Sequence, residues 1–133
     1  MPERTIEVSD TELAILDVLW EQGQATIREI DRRLYERPTI ATYATVQKLL
    51  ERLESKECVE RDRSENVHLF TATIGRDDLV GRRLQAVAEE LCDGSWTPLL
   101  TSLVQTKKLS EKDRKVLRQL IEDLDAEKGK KRK

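Results

Sequence analysis

Histidine, cysteine, glycine and aromatic residues are all scarce in this chain of 133 residues, and each shortage closes off a class of function. A single histidine, His68, and two isolated cysteines, Cys58 and Cys92, with no CxxC pair, are too few ligands for a structural zinc site. Five glycines, none grouped into a phosphate-cradling loop, and no nucleophile beside a base in a recognisable motif leave nothing for an enzyme to work with. The sequence therefore predicts no catalysis, no metal, no cofactor and no small-molecule substrate. Cys58 and Cys92 read as reduced, packed thiols, and His68 as a surface or packing residue of a hairpin. Aromatic content of 4% goes with helices around small aliphatic cores. No apolar run approaches 18 residues, and the opening MPERTIEVSD is polar without a signal-like apolar stretch, so a cytoplasmic protein is expected.

Charged residues, by contrast, make up 38% of the chain, and they are distributed unevenly. Residues 1–74 hold 15 acids against 10 Lys or Arg, a net −5, whereas residues 75–133 net +3. A surface that meets phosphate must be locally basic. If the first half binds nucleic acid, its positive side chains must be gathered on one face.

Spacing along the chain supplies the elements. Ser9-Asp10-Thr11-Glu12 has the form of a capping box, and Leu13, Leu16 and Trp20, widened by Ile15 and Leu19, form the stripe of a helix that ends at Gly23. Thr26-Ile27-Arg28-Glu29 is a second box, opening a short helix that turns Ile27, Ile30 and Leu34 inward and is stopped by Pro38. A third helix is expected from an N-cap at Thr42, with Val46, Leu49, Leu50 and Leu53 buried. The period then changes. Residues 58–63 and 67–73 are β-forming segments around the polar turn Ser64-Glu65-Asn66, which predicts a hairpin. Three helices and a hairpin are the order of a winged helix-turn-helix.

Beyond Gly75 the helical period returns in three segments. Leu84, Val87, Ala88 and Leu91 line the first, which ends near Cys92-Asp93-Gly94. Thr97-Pro98 starts the second, with Leu99, Leu100, Leu103 and Val104 on one side. Ser110-Glu111-Lys112-Asp113 starts the third, whose apolar positions are Val116, Leu117, Leu120, Ile121 and Leu124. Three helices of this size carry more apolar face than they can hide among themselves, which predicts a homodimer. The fold class expected is mainly α: a winged-helix DNA-binding domain over 1–74, a helical dimerisation domain over 75–126 and a basic, disordered tail over 127–133.

The outer face of the third helix is the informative surface. In a helix-turn-helix the N-terminal half of the second helix lies in the major groove of double-stranded DNA. Gln can pair with adenine, Lys and Arg with guanine, and the methyl of Thr or Ala with that of thymine. Thr42, Ala44, Thr45, Gln47, Lys48 and Arg52 suit those roles, and Tyr43 suits a phosphate. Arg28, Arg32 and Arg33 on the preceding helix and Arg61 and Arg63 on the wing lie where backbone contact is expected. Acids gather instead on the first helix and its lead-in (Glu3, Glu7, Asp10, Glu12, Asp17, Glu21), although Glu51 and Glu54 intrude on the far half of the third. The alternatives from pattern alone are a winged helix used for protein contact and a merely solvated face.

The segments VSDTELAILDVLWEQGQATIREI and TYATVQKLLERLESKECVERDRSENVHLFTATI resemble the penicillinase repressors, a family that also contains copper-responsive repressors. The resemblance rests on the L-W motif ending at Trp20 and the T-x-x-x-L-x-R-L pattern from Thr45, and it continues through CDGSWTPLL and KLSEKDRKVLRQLIEDL. It implies a dimeric transcriptional repressor on a dyad-symmetric operator, with Tyr43, Ala44, Thr45, Gln47, Lys48 and Arg52 toward DNA and the C-terminal helices pairing the subunits. In the penicillinase branch it further implies a membrane-anchored sensor metalloprotease as partner, and cleavage in the dimerisation region. The scissile Asn-Phe pair of that branch corresponds here to Ser102-Leu103. The start of the third helix departs from the family's Ser-Pro-Lys-Thr, reading Thr42-Tyr43-Ala44-Thr45 and losing a basic contact. The paired-cysteine hook of the copper branch has no counterpart after Cys92, so copper sensing is not expected.

Overall fold

The computed structural model describes residues 7–105 and 109–131. Its elements run α1 (Asp10–Gln22), α2 (Ile27–Leu34), α3 (Ile40–Ser55), β1 (Val59–Asp62), β2 (Leu69–Ala72), α4 (Arg76–Cys92), α5 (Thr97–Gln105) and α6 (Glu111–Lys131). The chain gathers into two compact units, residues 1–86 and 87–133.

In the first unit both expected capping boxes are present. Ser9 and Glu12 exchange side-chain and backbone hydrogen bonds at the start of α1, as do Thr26 and Glu29 at the start of α2, so each helix has two of its free N–H groups satisfied locally. Gly23 closes α1 at φ +88°, a conformation that suits glycine. The third helix starts earlier than the sequence suggested. Its N-cap is Thr39, and Thr42 is the third helical residue, returning its hydroxyl to the Thr39 N–H at 2.7 Å. Two threonines at this spacing form the same reciprocal box that Ser/Thr with Glu forms elsewhere, and the earlier threonine takes the cap because Pro38 before it cannot be helical interior. The expected stripe of Val46, Leu49, Leu50 and Leu53 is buried throughout.

At the far end of α3 the Cys58 N–H donates to the Leu53 carbonyl and the Glu57 N–H to that of Glu54, the paired bonds of a Schellman ending. Glu57 takes the left-handed position, at φ 61°, where glycine is usual. This ending turns the chain directly into β1. The strands pair antiparallel, Val59 with Ala72 through Asp62 with Leu69, and are shorter than the β-forming segments because the Asp62 carboxylate accepts from Ser64 N–H and begins the turn there. Hydrogen bonding from the Ser64 side chain, and then from its backbone N–H, holds the Asp62 carboxyl below its usual value. Ala25, in the link from α1 to α2, adds a third edge: its N–H and C=O bond to Phe70 at 3.1 and 2.8 Å.

The core of this unit is built from Ile15, Leu16 and Leu19 of α1, Ile30 of α2, the α3 stripe, and Phe70, the largest fully buried side chain. Burying a phenylalanine is worth about 1.5–3 kcal/mol over leaving it exposed. The first half of α4 belongs to the same unit, so packing continues past residue 74. Leu79 is buried, the Trp20 indole N–H donates to Ile74 O at 2.8 Å, Arg76 lies over the Trp20 ring and pairs with Asp17, and Arg83 donates to Val8 O.

The second unit holds the rest of α4, then α5 and α6. Asp93 and Gly94, both at positive φ, end α4, and Ser110 caps α6 by accepting from Asp113 N–H. The expected tail from residue 127 is helical through Lys131, where lysines suit both helix propensity and the negative end of the helix dipole; residues 132–133 lie outside the described residues. No helix among the described residues is long and apolar enough to cross a membrane.

Among the described residues one ion pair has a buried carboxylate. Lys56 donates to both carboxylate oxygens of Glu12, at 2.8 and 2.9 Å, tying the end of α3 to the start of α1. Burial pushes the Glu12 carboxyl upward, but hydrogen bonds from Lys56 and from Ser9 outweigh it and hold the group below its ordinary value of 4.5. A carboxyl lowered on folding stabilises the protein above its ordinary value, and that contribution is lost as pH falls through the lowered one. Glu12→Gln keeps the capping geometry but leaves the ammonium without its counter-ion. Breaking a fully buried pair costs about 3–5 kcal/mol; with Lys56 a third exposed, about 2–3 kcal/mol is expected at neutral pH. Urea unfolding at neutral and acidic pH checks this: the wild-type advantage should shrink once pH drops below the ordinary glutamate value.

Candidate nucleic-acid interface

Because Val46, Leu49, Leu50 and Leu53 seat α3 on the core, its remaining faces are set by geometry. Ala44, Thr45, Gln47, Lys48 and Arg52 are all exposed, and Tyr43 is partly so. The side chains of Gln47, Lys48 and Arg52 form no hydrogen bond or ion pair among the described residues, so their polar ends are available. Thr45 differs: its hydroxyl donates to the Ala41 carbonyl at 3.0 Å, which leaves its methyl as the part offered outward. Thr42 is committed to the cap, and its expected role at the reading face becomes one of holding the helix start.

Between α2 and the start of α3 lies a concavity of about 520 Å³ lined by Arg28, Asp31, Arg32, Pro38, Thr39, Ile40 and Tyr43. Arg28 and Arg32 are exposed on its α2 side. Asp31 is only 3% exposed, and its Oδ1 has no hydrogen-bond partner among the described residues. Arg33, one residue further on, points elsewhere: it binds Glu21 at 2.8 Å and Gln22 at 3.0 Å on α1.

The wing divides its two arginines. Arg63 is exposed in the turn after β1. Arg61 is half-buried and occupied: one guanidinium nitrogen pairs with Glu54 on α3 at 2.6 Å, the other lies 3.3 Å from His68 Nδ1, and the group sits 4.8 Å from the Phe70 ring centroid. Since a guanidinium only donates, His68 Nδ1 can only be the acceptor in that contact. Arg61 thus bridges the recognition helix and the wing, and Glu54, an intrusion by sequence, is its counter-ion. Sequence reasoning missed this because Glu54 and Arg61 are seven residues apart across a helix end. It also missed Ile40, which the later helix start had left in a loop.

Cys58 is fully buried, and burial pushes its thiol up, against the opposing pull of Lys56 and Arg82. It is a packed thiol rather than a reactive one.

Loss of the Arg61 bridge should be visible as stability. Arg61→Ala removes a charge-assisted bond and the cover over Phe70, costing about 1.5–3 kcal/mol. In a double-mutant cycle with Glu54→Gln, measured by chemical denaturation, a coupling of about 1 kcal/mol is expected; strict additivity would show that the contact contributes nothing.

Comparison with known proteins bears on what such a surface serves. The penicillinase repressor family pattern matches residues 8–123. The chain is 32% identical over 124 residues to the transcriptional regulator BlaI of Mycobacterium tuberculosis, covering 92% of this chain and 88% of that one. It is 23% identical over 124 residues to the penicillinase repressor of Staphylococcus aureus, covering 93% and 98%. Among solved structures, the complex structure of hsRosR-S4 is similar in fold, with a TM-score of 0.51 at 16% identity over 92% of this chain and 93% of that one. With three helices and a hairpin in the order described, and a family match over nearly its whole length, this chain belongs to the penicillinase repressor family of winged-helix transcriptional repressors.

Proposed function

We propose that the chain represses transcription as a homodimer on a dyad-symmetric operator, each subunit placing the N-terminal half of α3 in the major groove. The observation that carries this reading is the outer face of α3. Gln47, Lys48 and Arg52 are exposed and uncommitted, short residues Ala44 and Thr45 lie beside them, and of the two acids on the far half of α3 Glu54 is paired with Arg61 while Glu51 is exposed. Arg28, Arg32, Tyr43 and Arg63 flank that face as candidates for phosphate contact. A winged helix used only for protein contact has no need of such a face.

The pairing surface proposed is the apolar side of the C-terminal helices. Leu91, Leu100, Val116, Leu120, Ile121 and Leu124 are all at least half exposed in the single subunit, and Leu84 and Leu103 nearly so. Val87, Leu99 and Leu117 are partly covered. Stripes of this length on α5 and α6 are covered when two copies meet. The Ser102–Leu103 bond lies within α5. A cut there by a membrane-anchored sensor metalloprotease separates the reading unit from α6 and removes the roughly 10²- to 10⁴-fold avidity of two linked half-sites.

Two measurements test the reading. In electrophoretic retention of the DNA upstream of its own coding region, affinity should fall by roughly 10³-fold or more between 50 and 200 mM salt, and Lys48→Ala should cost about 1–3 kcal/mol while leaving the fold intact. A flat salt response, or wild-type affinity in the variant, sinks it. Leu120→Asp places a carboxylate in the pairing surface, where an unpaired charge costs several kcal/mol. Light scattering should then report a monomer whose winged helix remains folded and binds operator weakly; a variant that stays dimeric would place the interface elsewhere.

A further inference from the structure

Ile40 is the most exposed large apolar side chain among the described residues, at 92%. It does not belong to any stripe of the kind that α5 and α6 carry. Its helical neighbours at three, four and seven residues on are Tyr43, Ala44 and Gln47, so it stands at the leading end of the outer face of α3. Its backbone is held firmly: Thr39 and Thr42 exchange two hydrogen bonds around it, and Tyr43 N–H closes the first turn onto Thr39 O at 3.0 Å. A β-branched side chain on a capped helix end has few rotamers to lose when it is covered. An exposed apolar side chain at the leading end of that face complements the C5 methyl of thymine, which stands in the major groove.

We infer that Ile40 is a specificity-determining residue that packs on the C5 methyl of one thymine in each operator half-site, an inference that rests on the operator-binding reading above. Like Ala44 it has no polar side-chain atom to offer a phosphate, and it presents the larger and more exposed apolar surface. It places the thymine at the edge of the half-site reached by the N-terminus of α3, outside the bases reached by Gln47 and Lys48.

Selection of binding sequences from a random duplex pool, with the full chain and with Ile40→Ala and Ile40→Val, tests this. The expected result is one position per half-site where thymine dominates for the wild type and for Ile40→Val but relaxes for Ile40→Ala, with the other positions unchanged. Replacing that thymine by deoxyuridine, which lacks only the methyl, should weaken the wild type about fourfold, the worth of one buried methyl group, and leave Ile40→Ala unaffected. Because Ile40 is solvent-exposed and alanine is a good helix former, the variant is expected to fold. Identical thymine preference in all three pools, or equal weakening of wild type and Ile40→Ala by deoxyuridine, overturns the assignment while leaving operator binding intact. A wild-type chain that enriches no sequence overturns the operator reading, and this inference with it.

Discussion

Phe70 is the point through which the first unit is tied together. It is the chain's single phenylalanine, fully buried, and both of its backbone groups bond to Ala25 in the link between α1 and α2. Its ring is covered by Arg61, which in turn holds Glu54 of α3. One residue therefore fixes the wing to the helix-turn-helix through backbone, core and a charge pair at once. Without it the wing would be a two-stranded hairpin of four-residue strands, which is marginal in water on its own.

Part of the acidic balance of the first half is taken up in ion pairs. Glu12 is spent on Lys56, Asp17 on Arg76, Glu21 on Arg33 and Glu54 on Arg61. Three of these acids are on α1, behind the core from which α3 projects. Pairing removes Arg33 and Arg61 from the candidate phosphate contacts while it removes acids from competition with them. On α2, α3 and the wing turn the uncommitted basic side chains are Arg28, Arg32, Lys48, Arg52 and Arg63, with Glu51 of α3 an exposed acid among them. Net charge counts such groups equally, whereas a phosphate responds to those within about a Debye length of the surface it meets.

In the second unit, α5 has no buried side chain and α6 carries four aliphatic residues at half exposure or more, so apolar surface is left uncovered in the single chain. The proposed pairing of two copies supplies the missing cover and explains how a modest reading face per subunit would serve a long operator site. The Glu12–Lys56 pair and the Trp20–Ile74 hydrogen bond, by contrast, lie wholly within the first unit.

Local chemistry was legible in the sequence because it acts over three or four residues. The capping boxes at Ser9 and Thr26, the glycine ending at Gly23, the buried stripe of α3 and the starts of α5 and α6 all follow from hydrogen bonds and side-chain periods within one helical turn. The family resemblance was legible for the same reason, since its motifs record those periods. Even so, two threonines could each have capped α3, and only the position of Pro38 and the packing of the helix on the core chose Thr39 and so exposed Ile40. Long-range pairings were decided by tertiary structure alone. Nothing near Ala25 announces a strand partner 45 residues away, and a composition reading treats Arg61 as a free cation and Glu54 as an unwanted anion. Their partners are set by where α3 delivers the chain after its Schellman turn at Glu57, and a period along one helix carries no information about which side chains meet across two elements.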